Sequence, residues 1–155
     1  MFDGKVARMC KRSNEEKEFG IQIDSLADTV NFVVLPVVIM LSLGMTAPYE
    51  VAIYTLFVIA GVSRLGYFNV HADLDNPVKY YNGLPVTSTA IIYPVLGLLH
   101  GQIPECTFEI VYLVATALTA LLFVVRIKVP KLKGAAYIVI PILAAILTVL
   151  LLVIK

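Results

Sequence analysis

Apolar residues in this chain fall in long runs separated by short polar segments. Five runs approach the roughly 20 residues needed to cross the hydrocarbon core of a bilayer. They occupy residues 24–45, 51–70, 84–103, 108–125 and 134–154. The last carries no charge along its whole length. The first contains Pro36, and the third contains Pro94 and Gly97. Membrane helices tolerate such residues where neighbours re-satisfy the backbone. The pattern predicts an all-α polytopic membrane bundle with about five transmembrane helices.

The polar segments assign a direction to these spans. Lys5, Arg8, Lys11, Arg12 and Lys17 precede the first run, Arg64 and Lys79 flank the loop after the second, and Arg126, Lys128, Lys131 and Lys133 follow the fourth. The alternate loops, residues 46–50 and 101–107, contain no Lys or Arg, and on that side only Lys155 is basic. By the positive-inside rule the N-terminal segment and the loops at 71–83 and 126–133 face the cytoplasm. An integral protein of the cell membrane is expected. Tyr49, Tyr80, Tyr81, Tyr112 and Tyr137 stand near predicted span ends, where tyrosine anchors to the interface.

Composition agrees, with 59% hydrophobic and only 15% charged residues among 155. The net charge of +1 leaves no nucleic-acid footprint, because topology accounts for the basic residues. The charged N-terminus lacks the apolar core of a cleavable signal peptide. Cys10 and Cys106 fall on opposite sides of the predicted membrane, which argues against a disulfide, and they lack metal-site spacing. His71 and His100 are isolated and read as interface residues.

Candidate chemistry gathers at one membrane edge. The string Asp3-Gly4-Lys5-Val6-Ala7-Arg8 is followed by Gly20, Asp24 and Asp28. Asp24 and Asp28 are four apart, so a helix stacks them on one face, where like charges repel unless compensated. Three carboxylates suit a hard cation such as Mg²⁺ or Mn²⁺, which shares its shell with water and substrate phosphates. Gly4, Ala7 and Gly20 allow a bulky anionic ligand to approach the backbone, and Arg8 offers a planar fork to phosphate oxygens. An Asp-x-x-x-Asp pair taken alone is equally a solvated helix face. Arg64, at the end of an apolar run, is a functional candidate by its position in the membrane, with snorkelling to the interface as the alternative. Tyr81-Asn82-Gly83-Leu84-Pro85 then opens the third run with a turn into a helix N-terminus that would favour anions.

These residues resemble the signature of the CDP-alcohol phosphotransferases, Asp-x-x-Asp-Gly-x-x-Ala-Arg, a spacer, then Gly-x-x-x-Asp-x-x-x-Asp. Asp3, Gly4, Ala7, Arg8, Gly20, Asp24 and Asp28 fall into its positions. Arg64-Leu65-x-x-Phe68-Asn69, Tyr81-x-Gly83-Leu84-Pro85 and Ile127-Lys128-Val129-Pro130-Lys131 are similar to segments of the phosphatidylserine synthase branch. The spacer between Arg8 and Gly20 is longer than usual, with a charged insert at residues 14–18, and Val33 and Tyr67 replace a common Gly and Arg. The first signature aspartate would fall one residue before Met1.

The resemblance implies one membrane domain over residues 1–155, lacking the family's N-terminal spans and first aspartate. It implies transfer of a phosphatidyl group from CDP-diacylglycerol to L-serine with release of CMP, dependent on Mg²⁺ or Mn²⁺. Asp3, Asp24 and Asp28 would hold the metal, and Asp28 would also be the general base. Gly4, Ala7, Arg8 and Gly20 would shape the nucleotide and phosphate pocket, and Arg64 would meet the acceptor. A homodimer is implied as well. Without its first aspartate, the polypeptide as it stands is expected to be nearly inactive. Glycerol phosphate or inositol phosphate acceptors, and a non-catalytic membrane scaffold, are the alternative readings. A transporter is disfavoured because the ionisable residues cluster on one side.

Overall fold

The computed structural model describes residues 13–70, 80–125 and 128–130, together with two helical positions, Ile146 and Val149. The first helix, α1, spans Asn14–Asp28. Ser13 starts it through a capping box: its Oγ accepts from the Glu16 N–H at 3.2 Å, and the Glu16 carboxylate accepts from the Ser13 N–H at 2.8 Å. Two orphan donors are satisfied, and Glu15 and Glu16 complement the helix dipole. The charged insert at 14–18 is therefore the first turn of the helix and not a linker. The helix begins ten residues before the expected span at residue 24.

After Asp28 the backbone widens into a π-helical stretch, Thr29–Val34, and then resumes as α2, Leu35–Ser42. Pro36 accounts for the placement. A proline ring in a helix clashes with the carbonyl four residues back and donates no hydrogen bond, and a wider turn just before it relieves both defects. The three segments form one 29-residue rod, Asn14–Ser42. At 1.5 Å per residue such a rod is about 43 Å long, against a hydrocarbon core of about 30 Å. The rod is thus longer than the core is thick, and its charged first turns suit the aqueous side.

Gly44, at φ +90°, closes α2. The Met45 N–H returns to the Met40 carbonyl and the Gly44 N–H to that of Leu41, both at 3.2 Å, with Met40 and Met45 buried together as such a cap requires. α3, Pro48–Val70, starts where the Glu50 carboxylate accepts from the Ala47 N–H at 2.7 Å. A 3₁₀ turn, Val86–Ser88, leads into α4, Thr89–Gly97, and α5 spans Glu105–Val124. α3 and α5 match the expected second and fourth spans closely. The third does not: the apolar helix Val86–Gly97 is about 18 Å long at 1.5 Å per residue, short of a full crossing. Beyond it the chain turns through Gly101, at φ +79°, into Pro104. Among the described residues three helices are long and apolar enough to span a membrane. The expected fifth span lies outside the described residues apart from Ile146 and Val149.

α3 packs on α5 through Phe57 and Phe123, with ring centroids 5.7 Å apart, and Tyr93 of α4 meets Phe57 edge-on at 5.8 Å. Within this core the Thr116 hydroxyl donates to the Tyr112 carbonyl at 2.8 Å, whereas the buried Tyr54 hydroxyl has no hydrogen-bond partner among the described residues. Large apolar side chains such as Leu56, Ile59, Ile110, Val114 and Leu118 are exposed on the outer faces. Apolar residues on both the inside and the outside are what a lipid solvent calls for, and the chain is an integral membrane protein.

Two short strands, β1 (Tyr80–Asn82) and β2 (Lys128–Pro130), pair antiparallel with Tyr81 opposite Val129. They join the segment ahead of α4 to the segment beyond α5. The two basic loops assigned to one membrane side are thus hydrogen-bonded to each other.

Candidate active site

α1 carries Gly20, Asp24 and Asp28 at successive turns of one face. Asp24 is exposed, while Gly20 and Asp28 are half-buried. Ser25, between the two aspartates, holds this part of the helix to α3: its hydroxyl donates to Asn69 Oδ1 at 2.9 Å. One turn on, the Thr29 hydroxyl donates to the Ser25 carbonyl at 2.8 Å, and the Asn31 amide to the Ala27 carbonyl at 2.9 Å. Such back-bonding to the preceding turn satisfies these polar side chains within the apolar rod.

The π stretch is also where α1 comes closest to α3. Val33 is fully buried, and a Cβ added to Gly61 would lie 2.7 Å from Val33 Cγ2 and 3.0 Å from Cγ1. Gly61 is therefore a socket for Val33. This contact and the Ser25–Asn69 bond fix the height of the aspartates against α3. Neither was anticipated from the sequence, although Asn69 stood in a recognised segment and Val33 was noted as a departure from the usual glycine.

Arg64 does not snorkel. It is 7% exposed, and its guanidinium lies against the turn ahead of α4, where Nη2 donates to the Gly83 carbonyl and Nε to the Leu84 carbonyl, each at 3.4 Å. Gly83 makes this possible: its φ is +96°, and a Cβ there would lie 3.0 Å from the Val125 carbonyl and 3.3 Å from Arg64 Nε. The Leu84 N–H completes the junction by donating to the Leu122 carbonyl at 3.2 Å. Arg64 thus ties the ends of α3, α4 and α5 together on the membrane side where Asn69 meets Ser25.

Of the residues singled out in the sequence, the structure brings Asp24, Asp28 and Gly20 onto one face and sets Arg64 on the adjoining helix. Asp3, Gly4, Ala7 and Arg8 lie outside the described residues. Among the described residues no three acidic, imidazole or thiol side chains converge on a single point. The described part of the site is a carboxylate pair.

The sequence profile of the CDP-alcohol phosphatidyltransferases matches residues 1–155. The chain belongs to the CDP-alcohol phosphatidyltransferase family. It is 36% identical over 105 residues to a CDP-diacylglycerol–serine O-phosphatidyltransferase of Saccharomyces cerevisiae, covering 64% of this chain and 36% of the yeast protein. It is 32% identical over 136 residues to the protein of the same name from Helicobacter pylori, covering 85% of this chain and 56% of that one. An archaetidylserine synthase of Methanothermobacter thermautotrophicus is 34% identical over 91 residues, which cover 58% of this chain and 37% of its own. The chain thus spans about half or less of the length of these relatives. No solved structure matches it.

Proposed function

We propose that this phosphatidyltransferase-family chain, as one membrane domain over residues 1–155, takes part in transfer of a phosphatidyl group from CDP-diacylglycerol to L-serine. The observation that carries the reading is the Gly20, Asp24 and Asp28 face of α1, set at the membrane boundary in a chain of this family. The names of the relatives favour serine as the acceptor. The Lys and Arg asymmetry of the loops supports a cytoplasmic position for this face, where CDP-lipid and serine would meet.

The carboxylate donors fit a hard divalent cation, and Asp24 and Asp28, together with Asp3, would hold Mg²⁺ or Mn²⁺. Such an ion supplies charge neutralisation at phosphate oxygens. The remaining work falls to the protein. Gly20, without a side chain, would leave room for the nucleotide beside α1, and the signature assigns Gly4, Ala7 and Arg8 to the same pocket. Asp28 accepts the proton of the serine hydroxyl as its oxygen bonds to the phosphorus on the lipid side of the pyrophosphate. The bond from that phosphorus to the CMP oxygen breaks, and CMP leaves. A carboxylate is a weak base for an alcohol, so the rate depends on holding the hydroxyl in line with the phosphorus. The Ser25–Asn69 bond and the Val33–Gly61 contact hold Asp28 in place for this task. Arg64 orients the turn at Gly83 and is assigned to the carboxylate of serine or to a phosphate.

The test is an acceptor comparison in reconstituted vesicles containing CDP-diacylglycerol and Mn²⁺. CMP release is expected with L-serine and to be much slower with glycerol 3-phosphate or inositol phosphate. Release driven by a phosphorylated acceptor and not by serine would overturn the assignment of acceptor.

A further inference from the structure

The end of α3 remote from Arg64 and Asn69 holds a second group of acidic and hydroxyl side chains. Glu50, in the first turn of α3, is 3% exposed, and Tyr54, one turn further along the same face, is 2% exposed. Long side chains on a helix lean toward its N-terminus, so the Tyr54 hydroxyl is carried back toward the turn that holds Glu50. Glu109 of α5 is half-buried, and after Glu50 it is the carboxylate whose charge acts most on that hydroxyl.

Helix capping explains part of this group: one Glu50 oxygen accepts from the Ala47 N–H at 2.7 Å. Capping does not require the glutamate to be enclosed, and it leaves Tyr54 and Glu109 without a role. The Tyr54 hydroxyl lies near two carboxylates yet bonds to neither, and among the described residues it has no hydrogen-bond partner at all. Basic side chains are missing from the surrounding sequence as well, with no Lys or Arg from residue 18 to 63 or from 80 to 125. A buried carboxylate without a positive partner is costly, and so is a buried hydroxyl left unpaired. One kind of occupant meets both needs. A hard cation takes carboxylate and neutral oxygens together and keeps water in its shell. An irregular set of this kind suits Ca²⁺ better than Mg²⁺, which demands near-octahedral geometry.

We propose that Glu50, Tyr54 and Glu109 form a binding site for a hard cation of the calcium type, at the end of α3 remote from the Asp24 and Asp28 pair. The ion ties the start of α3 to α5. With two carboxylates its affinity falls in the weak range for such sites, a Kd of about 0.1–1 mM for Ca²⁺. The site stands independently of the transfer reaction proposed above.

Tb³⁺, a luminescent stand-in for Ca²⁺, tests this on the purified full chain in detergent micelles. The chain has eight Tyr and no Trp, so tyrosine is the sensitiser of bound Tb³⁺. The double variant Asp24→Asn, Asp28→Asn is the background, which takes the carboxylate pair of α1 out of the titration. Sensitised emission is expected there, displaced by Ca²⁺. Glu50→Gln and Glu109→Gln should each weaken Tb³⁺ binding by about tenfold or more, and Tyr54→Phe, which keeps the ring, by about tenfold, all with helical circular dichroism unchanged. Gln at position 50 still offers an oxygen to the Ala47 N–H, so the cap is kept. Absence of emission in the background would leave Glu50 a helix cap only and would overturn the proposal. Emission indifferent to all three substitutions would put the metal elsewhere and overturn it too. So would emission that appears only after Lys155→Met, since the chain's own ammonium would then hold the place.

Discussion

Adding one methyl group at Gly61 tests how the carboxylates are held. The Cβ of Gly61→Ala would stand 2.7 Å from Val33 Cγ2, inside the distance real side chains adopt. Val33 cannot easily yield, since it is fully buried and its β-branched side chain is stiff at χ1. Overpacking of this kind costs about 1–3 kcal/mol. Replacing Gly by Ala in a helix returns about 1 kcal/mol, so the single variant should lose about 1 kcal/mol net. Val33→Ala alone removes two buried methyl groups and should cost about 2 kcal/mol. In the double variant the new methyl enters the space vacated by Val33. Its stability should match or exceed that of Val33→Ala alone, with a coupling energy of about 1–2 kcal/mol. Denaturant unfolding in mixed micelles, followed by circular dichroism, measures all four corners of the cycle. Gly61→Ala should also slow catalysis, because the π stretch that it displaces begins directly after Asp28. Additive effects within about 0.5 kcal/mol would refute the reasoning, since independent sites add to that tolerance.

Further outcomes follow from the same geometry. Asp28→Asn and Asp24→Asn should each lower activity by about 10³-fold while leaving the helical circular dichroism intact, since each removes a charge from the carboxylate pair; Mn²⁺ binding followed by electron paramagnetic resonance should weaken in both. Gly83→Ala forces a side chain into positive φ and against the Val125 carbonyl, and should destabilise the protein by about 1–3 kcal/mol in the same unfolding assay. Arg64→Lys keeps the charge but loses the planar fork that reaches the Gly83 and Leu84 carbonyls, and should cost about 1–2 kcal/mol and raise the KM for serine.

The hydrophobic runs located α3 and α5 to within about three residues; the helices begin slightly ahead of the runs, at Pro48 and just after Pro104, because proline suits the start of a helix. The start of α1 was missed because hydropathy ends at the hydrocarbon boundary while hydrogen bonding does not. The signal was present in Ser13 and Glu16, whose spacing is that of a capping box. The third span was overestimated because Pro94 and Gly97 were both weighed as tolerable within a helix; the helix does run through Pro94 but ends at Gly97, and the chain then turns at Gly101. At the site, Asp24 and Asp28 share a face because spacing alone dictates it. The turn gripped by Arg64 was visible only as a Gly-x-Pro motif, since its partnership with a residue 19 positions earlier depends on how α3 and α4 meet. The π stretch and the Val33–Gly61 socket likewise depend on packing between distant segments, which periodicity does not encode.

The most direct test of the central claim is serine-dependent CMP release by the protein made from its complete reading frame, purified into vesicles of CDP-diacylglycerol with Mn²⁺, beside its Asp28→Asn variant. Phosphatidylserine should form in step with CMP, stop on addition of a divalent chelator, and be lost in Asp28→Asn. Turnover by Asp28→Asn equal to that of the unaltered protein would contradict the account.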